Sequence, residues 1–527
     1  MENNVKIQEV MTLAEAAAFI RVSERTLGQM AREGRIPAQK AGREWRFLRR
    51  ALEDWLARGG PAVGEGHPTS RRPAPTTGRL FGDHATGKRS GKTGFADSAF
   101  TENRDEQMHR WVPWIAGFSA AFVNDVLDQL PRGRRALVLD PFAGVGTTLV
   151  EGVRRGHDVV GYEINPYAAL ACRMKLMALE LDADQLLQRS AAFTEFVAES
   201  TADAGRVPGQ KAPPNFVSRV PFFSPRVERQ VLFALDFIAS ESDPIVADFL
   251  RVAVGATMVG YSNYSYEPSL SRRSVAGKQD VLDCDVAGVL AAKLYEMCSD
   301  IAGFQVGVQR LGRKGKPRAD VYPESYLDSD GRVAPSSVDV VVTSPPYLNN
   351  YHYVRNTRPQ LYWLGIVTSN SDLKAMEQTS FGKFWQTVRA GPEVKLEMRY
   401  PKLASVIARL SEENRGRGVY GGRGWANYAA TYFNDCVRFC QRTIELMKPG
   451  GLVVVVIGNN ILQGVEVRTD EFFAGIAEMC GCRVAGMHRV RKKRTGTSII
   501  NSSVRAGKVK QRTELYETAI ELRVGAT

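Results

Sequence analysis

The chain has 527 residues, 44% hydrophobic and 24% charged, a length that implies roughly two to four domains of about 150 residues and a composition that excludes a wholly disordered, collagen-like or coiled-coil chain. Seventy basic against 57 acidic side chains leave a net charge of +13, which favours a polyanionic partner such as nucleic acid. The most apolar run, Leu452 to Ile457, is strand-sized and far short of a membrane span, and the start shows no secretory leader, so a cytoplasmic chain with no membrane partner is expected. Seven cysteines are too few for a disulfide scaffold, and Cys436-x3-Cys440 with Cys480-x-Cys482 does not make a zinc pattern, so no metal site is expected.

Residues 9–58 read as a small helical unit. Thr12 and Glu15 have capping-box spacing, and Leu13, Ala16, Ala17 and Ile20 follow at helical intervals. Ser23 opens a second helix carrying Thr26, Leu27 and Met30, which ends near Gly34. Arg35 to Phe47 reads as a hairpin turning at Gly42, and Arg50 to Leu56 as a last helix. This segment resembles the winged helix-turn-helix of the excisionase and MerR-like families. The resemblance implies that the second helix enters the major groove of DNA, with Arg25, Gln29 and Arg32 facing it and Lys40, Arg43 and Arg46 near phosphates.

Residues 59–105 are rich in Gly, Pro, Ser, Thr and Arg and read as a flexible basic linker. Gly82 to Lys88 is almost a phosphate-binding loop. Arg89 stands where Ser or Thr would hold magnesium, and no strand precedes it, so the linker reading is preferred.

The core follows. Ala136 to Leu139 is a short buried strand running into Asp140-Pro-Phe-Ala-Gly144-Val-Gly146-Thr-Thr148, a turn tight enough for a ligand to approach the backbone, with a helix starting near Thr147. A second strand, Asp158 to Glu163, ends in an acid 23 positions after Asp140, suited to ribose hydroxyls. No third glycine follows at the dinucleotide-binding spacing. A further apolar strand, Ser337 to Thr343, leads into Ser344-Pro345-Pro346-Tyr347. Two prolines donate no backbone hydrogen bond and hold the chain extended, leaving carbonyls free to accept. The Ser344 hydroxyl and the Pro345 carbonyl can take the two N–H bonds of an exocyclic amine, and Tyr347 can stack on the flat base that carries it.

These two motifs resemble those of the S-adenosylmethionine-dependent DNA amino-methyltransferases, the cytosine-N4 and adenine-N6 family, over residues 108–523. The resemblance implies an α/β fold, a Rossmann-like seven-stranded sheet with helical insertions. It implies that Asp140, Pro141, Phe142, Gly144, Gly146, Thr147 and Glu163 line S-adenosylmethionine, with Asp320 meeting its adenine, and that Ser344, Pro345, Pro346 and Tyr347 act on a base flipped from double-stranded DNA. It further implies one direct methyl transfer, in line with the lack of a Pro-Cys pair. Trp111 to Ser119 is similar to the family's extra cofactor-side segment or is an aromatic-anchored core helix.

The cofactor motif precedes the catalytic one by about 200 residues, more than the bare fold needs. We therefore expect a methyltransferase domain over 106–527 with a target-recognition region at 175–335. Leu181–Ser200, Arg226–Met258 and Val286–Gly303 read as helices. The Tyr261-to-Ser274 loop, with Arg272 and Arg273, is placed on DNA. The second insert, Leu348 to Trp425, can line the base pocket through Tyr351, His352, Tyr353 and Arg355. His488 to Arg494 reads as a basic turn that binds phosphates through Arg491, Lys492 and Lys493. Lys448 to Ile457 reads as a helix end, a turn and the next buried strand, with Gly458 to Asn460 at its carboxyl edge near the pocket, and Glu514 to Arg523 as the last strand. Ser before Pro-Pro-Tyr favours cytosine N4 within the family, in a restriction-modification or host-defence setting with a cognate restriction endonuclease as possible partner. Adenine-N6 methylation, RNA guanine-N2 methylation and a DNA-binding regulator with an inactive methylase body remain the alternatives.

Overall fold

The computed structural model describes residues 10–20, 22–32, 36, 38–41, 44–48, 52, 95, 103–114, 117, 119–131, 133–266, 269–312, 315–348, 353–492 and 514–525. Two compact units emerge, Met1–Gly82 and Asp83–Thr527. The expected linker falls largely outside the described residues, and the loop at 82–88 wholly so.

In the small unit, helices Leu13–Phe19 and Glu24–Arg32 pack on a three-stranded antiparallel sheet of Val10–Met11, Glu44–Leu48 and Gln39–Ala41. The capping box forms: the Thr12 amide donates to Glu15 at 2.8 Å and the Glu15 amide to Thr12 Oγ1 at 3.3 Å. Ala16, Ala17, Leu27, Phe47 and Leu52 close its core. Arg25, Gln29 and Arg32 lie on the second helix, Lys40 lies on the first wing strand, Arg43 lies outside the described residues, and of the helix expected from Arg50 to Leu56 only Leu52 is described. Arg46 is half-buried and donates to the Trp45 carbonyl at 3.1 Å.

The large unit is built on strands β1 (Leu137–Asp140), β2 (Asp158–Tyr162), β3 (Ala319–Tyr322), β4 (Val338–Thr343), β5 (Met447–Gly458), β6 (Cys482–Lys492) and β7 (Tyr516–Val524). They lie in the order β3-β2-β1-β4-β5-β7-β6. All neighbours are parallel except β7, which is antiparallel to both β5 and β6. The central strands are apolar on both faces because both are covered. Val138, Val340, Val342, Val454 and Val456 face one core, and Leu139, Val341, Val453, Val455 and Ile457 the other.

The first face is covered by α1 (Ala120–Leu127), α2 (Thr147–Arg154), α3 (Pro166–Leu176), α4 (Ala183–Ala202), α5 (Pro225–Ser240), α6 (Pro244–Thr257) and α7 (Val286–Gln309). The second is covered by α8 (Pro401–Glu412), α9 (Gly422–Leu446) and α10 (Thr469–Met479). Phe193, Val231, Phe249 and Leu294 of α4 to α7 share the core of the sheet, so most of the stretch 175–335 is integral to the scaffold. The helix expected over Arg226–Met258 is two helices, because Asp243 accepts the Ile245 amide at 2.8 Å as N-cap and Pro244 starts α6.

Two loop expectations also change. Tyr261 and Asn263 are buried, and Asn263 bridges the Pro221 carbonyl and the Val281 amide at 3.0 and 2.9 Å, so they hold a hairpin (Tyr264–Tyr266 with Leu270–Arg272) from within. His488 to Lys492 is no turn but the end of β6, aligned along β7, and Lys493 lies outside the described residues.

The segment before the first motif is clamped from two sides. Asp300 of α7, 1% exposed, accepts the Met108 amide at 2.8 Å, Trp111 Nε1 at 3.1 Å and two Arg110 bonds at 2.6 and 3.1 Å. His109 meets Glu151 of α2 at 2.7 Å. Burial opposes ionisation of Glu151, but Arg154 and His109 pull its carboxyl down to about 2. Replacing Asp300 by Asn leaves buried donors short of acceptors. Asp300→Asn is expected to lower unfolding free energy by about 2–3 kcal/mol in urea titrations, and a loss under about 0.5 kcal/mol would contradict the clamp.

Candidate active site

The turn after β1 is set by backbone geometry. Gly144 and Gly146 have φ of +52° and +89°, which a side chain resists. A Cβ on Gly146 would sit 2.6 Å from Cys172 Sγ, and one on Gly144 3.0 Å from Trp114 Nε1. Glu163, directly after β2, spans this turn: it accepts the Gly144 amide at 2.8 Å and the Asn165 amide at 2.7 Å. Lys175 of α3 is fully buried and donates to the Val145 carbonyl at 2.9 Å; burial draws its ammonium down to about 8.

The turn after β4 meets this one at the carboxyl edge of the sheet, where the order of connections reverses between β1 and β4. Buried Thr343 donates to Asp140 Oδ1 at 2.6 Å, and the Phe142 amide donates to the same oxygen at 3.0 Å. Thr148 of α2 donates to the Val342 carbonyl at 3.2 Å. Ser344 Oγ donates to the Val456 carbonyl at 3.1 Å. Its proton is thereby engaged, and its lone pairs are left to accept. The Tyr347 ring lies against Gly458, whose missing Cβ would be 3.3 Å from it. Burial and the Glu517 carboxylate push the Tyr347 phenol up while Arg491 opposes them, so Tyr347 stays protonated.

One cavity joins the two turns. Its walls include Asp140, Pro141, Phe142, Gly144, Thr147 and Glu163 on one side and Ser344, Pro346 and Tyr347 on the other. Gly146 and buried Pro345 are not among its lining residues. Asp320 is exposed on edge strand β3 and lies outside the cavity; Glu324 to Leu327, past the strand's end, line that wall. The misplacement is one of strand register: mid-strand side chains cannot reach a site at the strand tips. Arg273 donates to the Gln279 carbonyl at 2.8 Å and Arg272 ends its hairpin strand, both half-buried. Arg491 stands opposite Glu517, beside Tyr347, and Lys492 opposite Tyr516.

Trp114, from the segment expected on the cofactor side, and Tyr353, expected in the base pocket, both line the cavity, whereas the walls at 379–384 and 428–432 had no motif to announce them. Trp114 stacks on Tyr353 at 6.4 Å with a 15° interplanar angle, while Tyr351 and His352 lie outside the described residues. Arg355 is exposed. Thr379 to Phe384 crosses the cavity opposite Phe142, held where Asp435 of α9 accepts the Gly382 amide at 2.8 Å. Tyr428 and Tyr432 of α9 complete it.

Asp140 and Glu163 make no ion pair among the described residues. Burial pushes Asp140 up to about 6 and Glu163 up to about 7, with their hydrogen bonds acting the other way. Two desolvated carboxyls without a cation, beside the Trp114 and Phe142 rings, suit a ligand that is cationic and carries a sugar.

Comparison with known proteins agrees with this architecture. Residues 10–60 match the model of a helix-turn-helix domain. The chain is 22% identical over 441 residues to the Type II methyltransferase M.BsoBI of Geobacillus stearothermophilus, covering 76% of this chain and 83% of that one. It is 21% identical to the Type II methyltransferase M.AvaI of Nostoc sp., covering 73% and 81%, and 22% identical to the Type II methyltransferase M.MvaI of Kocuria varians, covering 63% and 72%. A solved rRNA methyltransferase, aviRa from Streptomyces viridochromogenes, aligns at 10% identity over 78% of this chain and 87% of that one with a TM-score of 0.27, too low to inform the fold.

The raised carboxyls have a consequence for stability. The folded state holds protons that the unfolded state has lost between about pH 4 and 7, so these two groups contribute less stability as pH rises through about 6 and about 7. The stability of the ligand-free protein relative to Glu163→Gln is expected to fall by about 2 kcal/mol from pH 5 to 8. Parallel pH profiles in urea titrations would contradict the assignment.

Proposed function

We propose that this relative of the Type II methyltransferases, with its N-terminal helix-turn-helix domain, transfers a methyl group from S-adenosylmethionine to the N4 amine of a cytosine flipped out of double-stranded DNA. The observation that carries the reading is that the Ser344 hydroxyl, oriented to accept by its bond to Val456, opens into the same cavity as Asp140 and Glu163. The setting that fits is cytoplasmic restriction-modification beside a cognate endonuclease.

When bound, S-adenosylmethionine supplies an electrophilic methyl group. The residues present fit it: Glu163 offers a carboxylate to ribose hydroxyls, Asp140 bears the charge that complements a sulfonium, Thr147 and the Gly144 turn bound the pocket, and Trp114 and Phe142 give it aromatic walls. The chain's own work is on the base. Ser344 Oγ and the Pro345 carbonyl accept the two amine protons, drawing the nitrogen lone pair out of conjugation with the ring. The Tyr347 ring, seated on Gly458, stacks on the base and fixes the nitrogen's approach. Orientation and solvent exclusion supply the rate. Arg25, Gln29, Arg32, Arg43 and Arg46 of the small unit tether the enzyme to DNA, and Arg272, Arg273, Arg491, Lys492 and Lys493 are further phosphate contacts.

The direct test is to label unmethylated genomic DNA with isotopic S-adenosylmethionine and identify the nucleoside by mass spectrometry. N4-methylcytosine is expected. N6-methyladenine would keep the class and overturn the base, and label on RNA alone would overturn both. Tyr347→Ala is expected to cut single-turnover transfer at least about 100-fold with donor affinity within about threefold. An equal loss of donor affinity would refute the stacking role.

A further inference from the structure

Residues 385–423, between the cavity wall at Phe384 and the first turn of α9, carry eight basic against four acidic side chains. Lys395, Arg399, Lys402, Arg409, Arg415 and Arg417 are exposed. The part of the stretch that precedes α8 has little regular structure, yet α9 holds it firmly. Asn427 accepts the Val394 amide at 3.0 Å and donates to the Pro392 carbonyl at 2.9 Å. Two helical turns on, Asn434 accepts the Glu397 amide at 3.0 Å and donates to the Lys395 carbonyl at 2.8 Å.

The insert ends in a tight turn, Arg415–Tyr420, entered at Asn414 with φ +53° and bent again at Gly418 with φ +56°. It exposes Val419 (39%) and Tyr420 (51%) beside the two arginines, a combination that solvation of a surface turn does not call for. Two chains of contact link it to elements that line the cavity, and a third contact stiffens one of them. Asn414 Nδ2 donates to Gln463 Oε1 at 2.6 Å, in the hairpin that continues β5 past Gly458, where Tyr347 rests. Tyr420 packs on Trp385 at 5.7 Å, Trp385 stacks on Trp425 at 4.9 Å, and Trp425 meets the cavity residue Tyr428 at 6.1 Å. The Arg389 guanidinium lies over both Trp385 and Tyr420, at 4.5 and 4.6 Å, and stiffens the pair.

We infer that the Arg415–Tyr420 turn grips duplex DNA at the mouth of the cavity, Arg415 and Arg417 on phosphates flanking the target and the Tyr420 ring on an exposed base. This rests on the reading of the chain as a DNA methyltransferase. The exposed Arg415–Glu412 pair is weak enough for a phosphate to replace it. Arginine supplies the phosphate contacts, and an aromatic face accepts any base. The turn lies in the second insert, outside the 175–335 region whose helices serve the scaffold.

The test is steady-state methyl transfer by the full-length chain to a duplex over a range of salt. Arg415→Gln with Arg417→Gln is expected to raise KM for DNA about 10-fold and to flatten its log–log salt dependence by about 2. The turnover number should stay within about twofold, with donor affinity and melting temperature unchanged. Replacing both arginines by lysine is expected to restore most of the affinity, since charge suffices at a phosphate. Wild-type KM and salt slope in the glutamine variant would overturn the grip while leaving the methyltransferase reading intact. A wild-type chain that methylates RNA and ignores duplex DNA would overturn both.

Discussion

The 2.6 Å hydrogen bond from Thr343 to Asp140 is the point on which the site depends. It joins the last residue of β4 to the last residue of β1, and so ties the Ser344–Tyr347 segment to the glycine turn. Both strands end at the position where chain connections diverge to opposite sides of the sheet, which opens a crevice between their tips. Asp140 is buried, so its carboxylate is sustained by the donors supplied to it, the Thr343 hydroxyl first, then the Phe142 amide and the Thr148 hydroxyl. Thr148 adds a parallel tie from α2 to the Val342 carbonyl. The two halves of the cavity are therefore set relative to each other by buried polar contacts rather than by loop packing, and such contacts have one satisfactory geometry.

Around that tie, the rest of the large unit supplies walls and excludes water. On one face, α7 holds the Met108–Trp111 segment through Asp300, and Trp114, three residues on, stands over Gly144. On the other, α9 carries Tyr428 and Tyr432 into the cavity and, through Asp435, Asn427 and Asn434, orders an insert that has few elements of its own. A single 25-residue helix thus lines the base side of the cavity and carries the basic surface beside it.

Much of this was legible in the residues. The apolar strands β1, β2, β4 and β5, the glycine turn with Glu163 downstream, and Ser344 to Tyr347 are local signals, since each depends on a few adjacent residues whose backbone preferences agree. The capping box at Thr12 is of the same kind. What escaped is non-local. Lys175 and Thr343 matter because of what the fold brings against them, and nothing in their neighbours marks that. Asp320 was assigned from the family pattern and its strand register placed it away from the site. The helices of 175–335 looked like an added domain because their length exceeded the bare fold; they proved to share its core because their apolar faces had the sheet to cover. In the Tyr261–Ser274 loop, Tyr261 and Asn263 prove to be buried, because aromatic and amide side chains serve a buried hairpin as readily as a nucleic-acid surface.

The measurement that tests the central tie most directly is donor binding by calorimetry, from pH 5 to 8, in Thr343→Val. The substitution keeps the shape and removes the hydroxyl that stabilises the Asp140 carboxylate. If the tie governs the site, the Asp140 carboxyl, which burial pushes up to about 6, titrates higher still without the Thr343 hydroxyl, the pH dependence of donor binding moves upward with it and single-turnover transfer falls, although Thr343 lines neither half of the cavity. A wild-type midpoint with an unchanged rate would contradict the account.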